Sequence, residues 1–278
     1  MNQGKPKPIH PLARGLRFPE GPAFALDGSL WCVELNGGSL VRLQNGEATR
    51  VTTGGAPNGA AVDRQGRVWF CDAQQNAIRR LDPRSGEIET VVEQVNGQPL
   101  DKPNDLAFDG ASNLVFTCPG ASRQEPTGYV CCRTPDGAVS IIADQLYFPN
   151  GLAFVDDGRA LVIAETYRQR LWRGAWDGRQ GAWREARVWA QATLGAPGPD
   201  GLALGGDGLL YVAVFGSGQV QVFGKDGRQV GAHVLPGRNP TNCAFDPAGR
   251  LGLVVTEAEQ GVLWSLPELG PGYPLFVP

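Results

Sequence analysis

The chain has few of the side chains on which many hydrolytic sites depend. Among its 278 residues there are two histidines, His10 and His233, and a single methionine. Neither histidine lies in a repeated motif, which argues against a multi-histidine zinc site and against a serine–histidine–aspartate triad. The six cysteines include no Cys-x-x-Cys pair and are too few for a disulfide scaffold in a chain of this length. We interpret them as reduced thiols of a cytoplasmic protein.

Charge and long apolar runs are scarce as well. Only 19% of the residues are charged, and the net charge of −3 predicts no partnership with nucleic acid or with an anionic membrane. The longest uncharged stretch, residues 208–224, is interrupted by Gly, Ser and Gln, so we expect no transmembrane segment. The basic N-terminal segment lacks the apolar core of a secretory signal, and no phosphate-binding glycine loop is present. Carboxylates and a metal ion remain as the groups that could carry a reaction.

Glycine and proline, in contrast, are abundant. The 39 glycines and 22 prolines make up 61 of the 278 residues, or about 22%, against about 12% in an average protein. Hydrophobic residues make up 42% of the chain, which is enough for a sizeable core. Such a composition is typical of a globular protein with many turns between short strands.

A repeated unit organises these turns. It consists of a short polar segment, small apolar residues, a turn containing Asp or Gly, and an alternating apolar strand, and it occurs six times. The six copies begin at Phe18, Ala56, Lys102, Phe148, Gly198 and Pro240. The third residue of each copy is Glu20, Asn58, Asn104, Asn150, Asp200 or Asn242, so that successive copies are 38, 46, 46, 50 and 42 residues apart. This spacing predicts an all-β fold, a six-bladed β-propeller with four antiparallel strands per blade.

The N-terminal segment completes the expected ring. Every later copy follows an apolar segment that ends the blade before it, whereas the first copy follows only HPLARGLRF. We therefore expect this segment to supply the outer strand of the last blade, which would remove the exposed edges of an open array. The whole chain, residues 1–278, is expected to be a single propeller domain with loose termini at about 1–10 and 268–278.

The third residues of the six copies are the first candidates for a functional site. The innermost strands of a propeller begin beside its axis, so one Glu, one Asp and four Asn would face one another across the channel. Asn or Asp followed by Gly is also an ordinary turn sequence, which leaves a purely structural interpretation open. Taken together, six oxygen-bearing side chains suit a hard cation, because Ca²⁺ takes six to eight oxygen ligands.

The segments FPEGP, PND, FPNGLAF, PDGLAL and PTNCAF resemble the SMP-30/gluconolactonase family, which includes regucalcin, sugar lactonases and related esterases. The resemblance extends from about Phe18 to Trp264 and implies a six-bladed propeller that binds one divalent metal ion. By position, it implies Glu20, Asn150 and Asp200 as ligands, with Asp200 also acting as the catalytic acid and base. Asn104 would lie beside the metal and contact the substrate.

The resemblance implies metal-dependent hydrolysis of a small-molecule sugar lactone to the aldonic acid. Ca²⁺ is the expected ion, with Zn²⁺, Mn²⁺, Mg²⁺ and Fe²⁺ as alternatives. Two other functions stay open: an esterase or phosphotriesterase of the same family, and a non-catalytic propeller that serves as a binding platform. Glu20 and Asp200 argue against the platform, because a scaffold has no need of two carboxylates in its channel.

Other residues are candidates for substrate contacts. Lys102 stands two positions before Asn104, where regucalcin-like proteins carry a basic residue, although an exposed loop lysine is an equally good interpretation. Arg123 and Glu125 belong to a loop, residues 117–129, that is long enough to cover the channel mouth. Asn58 is a candidate pocket residue, and Cys118, which replaces the Asp found in many family members, is interpreted as a packing residue. Asn242 would line the channel or cap its turn, as would Asn58.

Overall fold

The computed structural model describes residues 9–192 and 197–274. Its strands form six antiparallel four-stranded sheets and one two-stranded hairpin within those ranges. The inner strand of each large sheet packs against the inner strands of the sheets before and after it, and the sixth packs against the first. This arrangement confirms the predicted six-bladed β-propeller. No helix in the described ranges has the length and apolar character needed to cross a membrane.

The strands are numbered along the chain. The first strand is β1 (His10–Arg14), and blade 1 contains β2 (Pro19–Phe24), β3 (Leu30–Glu34), β4 (Ser39–Gln44) and β5 (Glu47–Thr52). Blade 2 contains β6 (Pro57–Val62), β7 (Val68–Asp72), β8 (Ala77–Leu81) and β9 (Ile88–Val92), followed by the hairpin of β10 (Gln94–Val95) and β11 (Gln98–Pro99). Blade 3 contains β12 (Leu106–Phe108), β13 (Leu114–Cys118), β14 (Gly128–Arg133) and β15 (Val139–Leu146).

The second half of the chain repeats this plan. Blade 4 contains β16 (Pro149–Val155), β17 (Ala160–Glu165), β18 (Arg170–Asp177) and β19 (Ala182–Gln191). Blade 5 contains β20 (Gly198–Leu204), β21 (Leu210–Phe215), β22 (Gln219–Phe223) and β23 (Gln229–Val234). Blade 6 contains β24 (Pro240–Phe245), β25 (Leu253–Glu257) and β26 (Val262–Leu266). Short 3₁₀ helices cover Leu35–Gly37, Thr166–Arg168 and Pro267–Leu269.

The fourth strand of blade 6 comes from the other end of the chain. Strand β1 pairs antiparallel with β26, with His10 opposite Ser265 and Arg14 opposite Val262. The predicted closure of the ring by the N-terminal segment is therefore confirmed. Of the termini expected to be loose, residues 1–8 and 275–278 lie outside the described residues. Gly272 forms a β-bridge with Gly205 of blade 5.

The core lies between blades rather than inside one of them. Each middle strand is covered on both faces by the neighbouring blades, and all five residues of β3 and of β7 are buried for this reason. Between blades 4 and 5, for example, Val162 and Val212 pack in one fully buried cluster with Phe223. Outer strands such as β5 are exposed along most of their length. The inner strands are consequently held by packing from two sides, which makes a rigid frame for groups at the axis.

Candidate metal centre

The acidic and amide residues of the repeat lie within or directly before the inner strands. Four of them are followed by glycine inside a strand, namely Glu20 in β2, Asn58 in β6, Asn150 in β16 and Asp200 in β20. The structural interpretation of these dipeptides as turns is therefore wrong. A Cβ added to Gly201 would collide with the side chain of Asn242, and one added to Gly59 would collide with Asp105. Glycine is required here because neighbouring inner strands approach closely at the axis.

In blade 3 the glycine position is occupied by Asp105, and its carboxylate points into the centre. Asp105 Oδ2 accepts a hydrogen bond from Asn242 Nδ2 at 3.2 Å. The same amide nitrogen lies 3.1 Å from Glu20 Oε2, to which it also donates. Blades 3 and 6 are opposite each other in a ring of six, so a direct contact between them lies on the propeller axis. Glu20, Asp105 and Asn242 are all buried.

Burial at the axis raises the pKa values of these carboxyl groups. Burial, followed by the charge of Asp105, raises the pKa of Glu20 to about 8, although hydrogen bonds from Asn242 and Gly21 oppose the rise. Burial likewise raises the pKa of Asp105 to about 6, against the hydrogen bonds from Leu106 and Asn242. The first cause in both cases is the loss of water around a charged group. Without a cation, the protein therefore holds part of this cluster protonated at neutral pH.

Asp200 and Asn150 form the neighbouring part of the ring. Burial raises the pKa of Asp200 well above its usual range, and the charges of Glu20 and Asp105 add to this, while a hydrogen bond from Asn150 opposes it. Asn150 is buried, and its Nδ2 donates to Thr166 Oγ1 at 3.2 Å. Its Oδ1 is buried without any hydrogen-bond partner. A buried amide oxygen without a partner, on a residue that contacts Asp200, is a donor that a cation could use.

The donors fit a hard divalent ion. None of the salt bridges between described residues involves Glu20, Asp105 or Asp200. Buried carboxylates without a counter-charge are costly, and a divalent cation would offset the cost. Within residues 9–192 and 197–274 no three His, Cys, Asp or Glu side chains are grouped as a metal site. A cation at the axis would therefore also need amide oxygens, such as the free oxygen of Asn150.

The remaining ring residues are placed by backbone contacts. The carbonyl of Asn104 accepts a hydrogen bond from the Gly59 N–H at 2.6 Å, which ties blade 3 to blade 2. Asn58 is half-buried, and its carbonyl oxygen lies beside Gly21 of blade 1. The backbone of both residues thus lies at the ring, and neither residue takes part in the hydrogen bonds that join Glu20, Asn242 and Asp105.

The three charged candidates for substrate contacts lie farther out. Lys102 is exposed, and its N–H donates to Asn76 Oδ1 at 2.9 Å. Arg123 is exposed, and its guanidinium carbon lies 5.7 Å from the ring centre of Phe148 and 5.5 Å from that of Tyr167. Glu125 is exposed on the same loop as Arg123. The structure therefore brings Arg123 to blade 4 and leaves Lys102 and Glu125 at the surface.

Cys118 is fully buried in the core between blades 2 and 3, as its interpretation as a packing residue requires. It stands at the end of β13, where four other blades end their second strand with a buried carboxylate: Glu34, Asp72, Glu165 and Glu257. These carboxylates accept backbone N–H groups from the segment before the inner strand, as Asp72 does from Ala56 at 3.0 Å. They brace those segments, and blade 3 uses the Tyr129 hydroxyl for the same purpose, since it accepts the Asp101 N–H at 3.0 Å.

Two residues of the central cluster were not singled out by their sequence context. Asp105 could have been found from the one copy of the motif in which Asn is followed by Asp instead of Gly. Asn242 was left between two interpretations, and its contact with both Glu20 and Asp105 shows that it lines the channel. No local signal distinguishes it from Asn58, because the difference arises from which blades face each other.

The fold and the buried side chains at its centre define a class of six-bladed propeller with carboxylates and amides on its axis. The model of the SMP-30/gluconolactonase/LRE-like region matches residues 18–259, and the chain belongs to that family. It is 30% identical over 277 residues to diisopropyl-fluorophosphatase of Loligo vulgaris, with 88% of this chain and 87% of the other covered. It is 25% identical to the gluconolactonase of Zymomonas mobilis, with 87% and 77% covered. A solved gluconolactonase of Xanthomonas campestris is 28% identical, with a TM-score of 0.81 over 92% of this chain and 88% of that one.

Proposed function

We propose that this protein is a divalent-metal-dependent hydrolase that opens a lactone ring. The observation that supports it is the cluster on the axis, where Glu20 and Asp105 are buried together with an amide oxygen of Asn150 that has no partner. A binding platform would gain nothing from such a cluster, because uncompensated buried charge destabilises the fold. The relatives named gluconolactonase and lactonase support the choice of reaction.

Glu20, Asn150 and Asp200 are the residues that would hold the cation, and Asn104 stands next to them in the ring. Their oxygen atoms favour Ca²⁺, with Mg²⁺, Mn²⁺, Zn²⁺ and Fe²⁺ as alternatives to be tested. When bound, a divalent cation supplies a Lewis acid that polarises a carbonyl oxygen and acidifies water. Asn242 donates from one amide nitrogen to both Glu20 and Asp105 and so orients the Glu20 carboxylate.

Asp200 is the acid and base of the proposed reaction. Of Glu20, Asp105 and Asp200, it is the one residue that is not fully buried. It accepts the proton of the water molecule whose oxygen bonds to the lactone carbonyl carbon. The bond between that carbon and the ring oxygen breaks, and Asp200 returns the proton to the departing oxygen. The product is the open-chain hydroxy acid.

The relatives suggest two kinds of substrate. The gluconolactonases suggest a sugar lactone opened to its aldonic acid, with Lys102, Arg123 and Glu125 as contacts for hydroxyl groups and Asn58 as a further pocket residue. The diisopropyl-fluorophosphatase suggests a phosphoester as a second candidate electrophile, and it is the more identical relative. Both fit a site that stabilises negative charge on a carbonyl or phosphoryl oxygen.

A lactone-opening assay with a pH indicator tests the proposal. Chelator-treated protein should lose turnover of lactones and esters, and added Ca²⁺ should restore it. Asp200→Asn should lower kcat by at least about 100-fold, because it removes the proton acceptor. Asp226→Asn is the matched control, since Asp226 is an exposed carboxylate on the outer hairpin of the same blade.

Near-normal turnover by Asp200→Asn, or full activity of the metal-free protein, would overturn the proposed mechanism. Failure to hydrolyse any lactone, ester or phosphoester, together with failure to bind a divalent ion, would leave the binding platform as the better interpretation.

A further inference from the structure

An apolar cavity lies on the propeller axis, next to the contact between Asp105 and Asn242. It has a volume of about 180 Å³, and residues from all six inner strands line it. The described residues that line it do not include the three candidate metal ligands, but those that follow each ligand along the chain. They are residues 21–24 after Glu20, 152–154 after Asn150 and 202–204 after Asp200. The cavity therefore occupies the half of the channel that lies beyond the candidate metal centre.

The walls of this cavity are apolar. Each inner strand contributes an alanine and, directly after it, a phenylalanine, a valine or a leucine. The alanines are Ala23, Ala61, Ala107, Ala153, Ala203 and Ala244. Because these side chains are short, they leave open a space that longer apolar side chains would fill. Among the described lining residues, only Asp105, Asn242 and Tyr273 have a nitrogen or an oxygen atom in the side chain.

The polar groups at the inner end of the cavity already have partners in the protein. Asp105 Oδ1 accepts the Leu106 N–H at 2.8 Å, and Asp105 Oδ2 accepts a hydrogen bond from Asn242 Nδ2. Asn242 Nδ2 also donates to Glu20, so both of its hydrogens are used. Asn242 Oδ1 accepts the Cys243 N–H at 2.8 Å. Asp105 and Asn242 therefore offer no free hydrogen-bond donor to a ligand.

The C-terminal segment forms part of the mouth of the cavity. Gly272 pairs with Gly205 of blade 5, and the Tyr273 N–H donates to the Leu204 carbonyl at 3.1 Å. The Tyr273 hydroxyl donates to Asp157 of blade 4, which holds the side chain at the rim. The side-chain donor at the mouth is thus also committed within the protein, and neither end of the cavity requires a polar ligand.

We propose that this cavity is a binding site, separate from the candidate metal centre, for an uncharged molecule with one aromatic ring or a compact alkyl group. Apolar cavities of about 150 Å³ stay free of water and take up benzene or xenon, so the volume suits a single ring. An anion would lose its hydration without meeting a free donor, and a cation would meet a carboxylate whose two oxygens already accept hydrogen bonds. The site does not depend on the proposed hydrolysis.

Isothermal titration of the metal-loaded protein with toluene, benzoate and benzylamine tests the proposal. We expect one toluene to bind per chain, and each charged analogue to bind at least about tenfold more weakly. Ala107→Leu and Ala244→Leu, which lengthen half-buried lining side chains from opposite blades, should each weaken toluene binding by at least about tenfold. Two such variants guard against a folding defect in one of them. Ala232→Leu in the exposed outer strand β23 is the matched control and should leave the affinity unchanged.

A crystal structure under xenon pressure locates the site, and we expect a xenon atom between the six alanines. Xenon bound only elsewhere, tighter binding of either charged analogue, or toluene binding that survives both alanine substitutions would overturn the inference. Toluene binding by Phe276→Ser but not by the wild-type chain would assign the cavity to the chain's own apolar residues 275–277 and would also overturn it. Absence of binding to both proteins would do the same. None of these results bears on lactone hydrolysis, which the turnover assay tests independently.

Discussion

The affinity for a divalent cation should depend steeply on pH, because Glu20 must lose its proton before it can bind one. Glu20 is only 4% exposed, and its pKa is raised to about 8 by burial and by Asp105. At that pKa about 1% of the side chain is ionised at pH 6 and about 90% at pH 9. Affinity should therefore rise about 100-fold over this range, equivalent to about 2.7 kcal/mol. Asp200, whose pKa is also raised, adds to the rise in the same direction.

Isothermal titration with Ca²⁺ in two buffers of different ionisation enthalpy measures both the affinity and the protons released. At pH 7 we expect about one proton from Glu20 for each ion bound. Glu20→Gln should bind the ion more weakly and show a shallower pH dependence. An affinity that stays within twofold from pH 6 to 9, with no proton release, would refute the assignment of Glu20 as a ligand that is protonated in the metal-free protein.

Two further predictions concern stability. The pKa of Glu20 in the folded state, about 8, lies above its ordinary value of 4.5, so the folded metal-free protein binds one more proton than the unfolded chain between these pH values. The free energy of unfolding of the metal-free protein should therefore fall by several kcal/mol as the pH rises from 5 to 8. Thermal unfolding with chelator should show this fall and saturating Ca²⁺ should remove it, whereas a Tm in chelator that does not change with pH would contradict the prediction. Gly201→Ala should destabilise the fold by about 1–3 kcal/mol in urea unfolding, because its Cβ meets the Asn242 side chain. Gly231→Ala in an outer strand, where the nearest atom is 3.9 Å away, is the control, and equal effects of the two substitutions would argue against close packing at the axis.

The propeller could be predicted from the sequence because the motif that specifies each blade is short and occurs six times. Each copy of the motif encodes one inner strand and the turn after it, and six copies leave few alternatives for the architecture. The hairpin at Asn45-Gly46 is equally local: both residues have positive φ, 52° and 82°, as a tight two-residue turn requires. From the sequence, the glycines after Glu20, Asn58, Asn150 and Asp200 could serve either a turn or a close approach of two inner strands. Only the packing of neighbouring strands in the structure distinguishes the two.

The sequence by itself determined the number of blades, the closure of the ring by its first strand, and the six positions that could face the axis. The tertiary structure decided which of these positions meet. Asp105 contacts Asn242 because blades 3 and 6 oppose each other, and Phe18 reaches Phe215 because the axis brings blades 1 and 5 together. These contacts join residues 137 or more positions apart. They depend on the closed ring as a whole, since no local pattern specifies the distance across a channel.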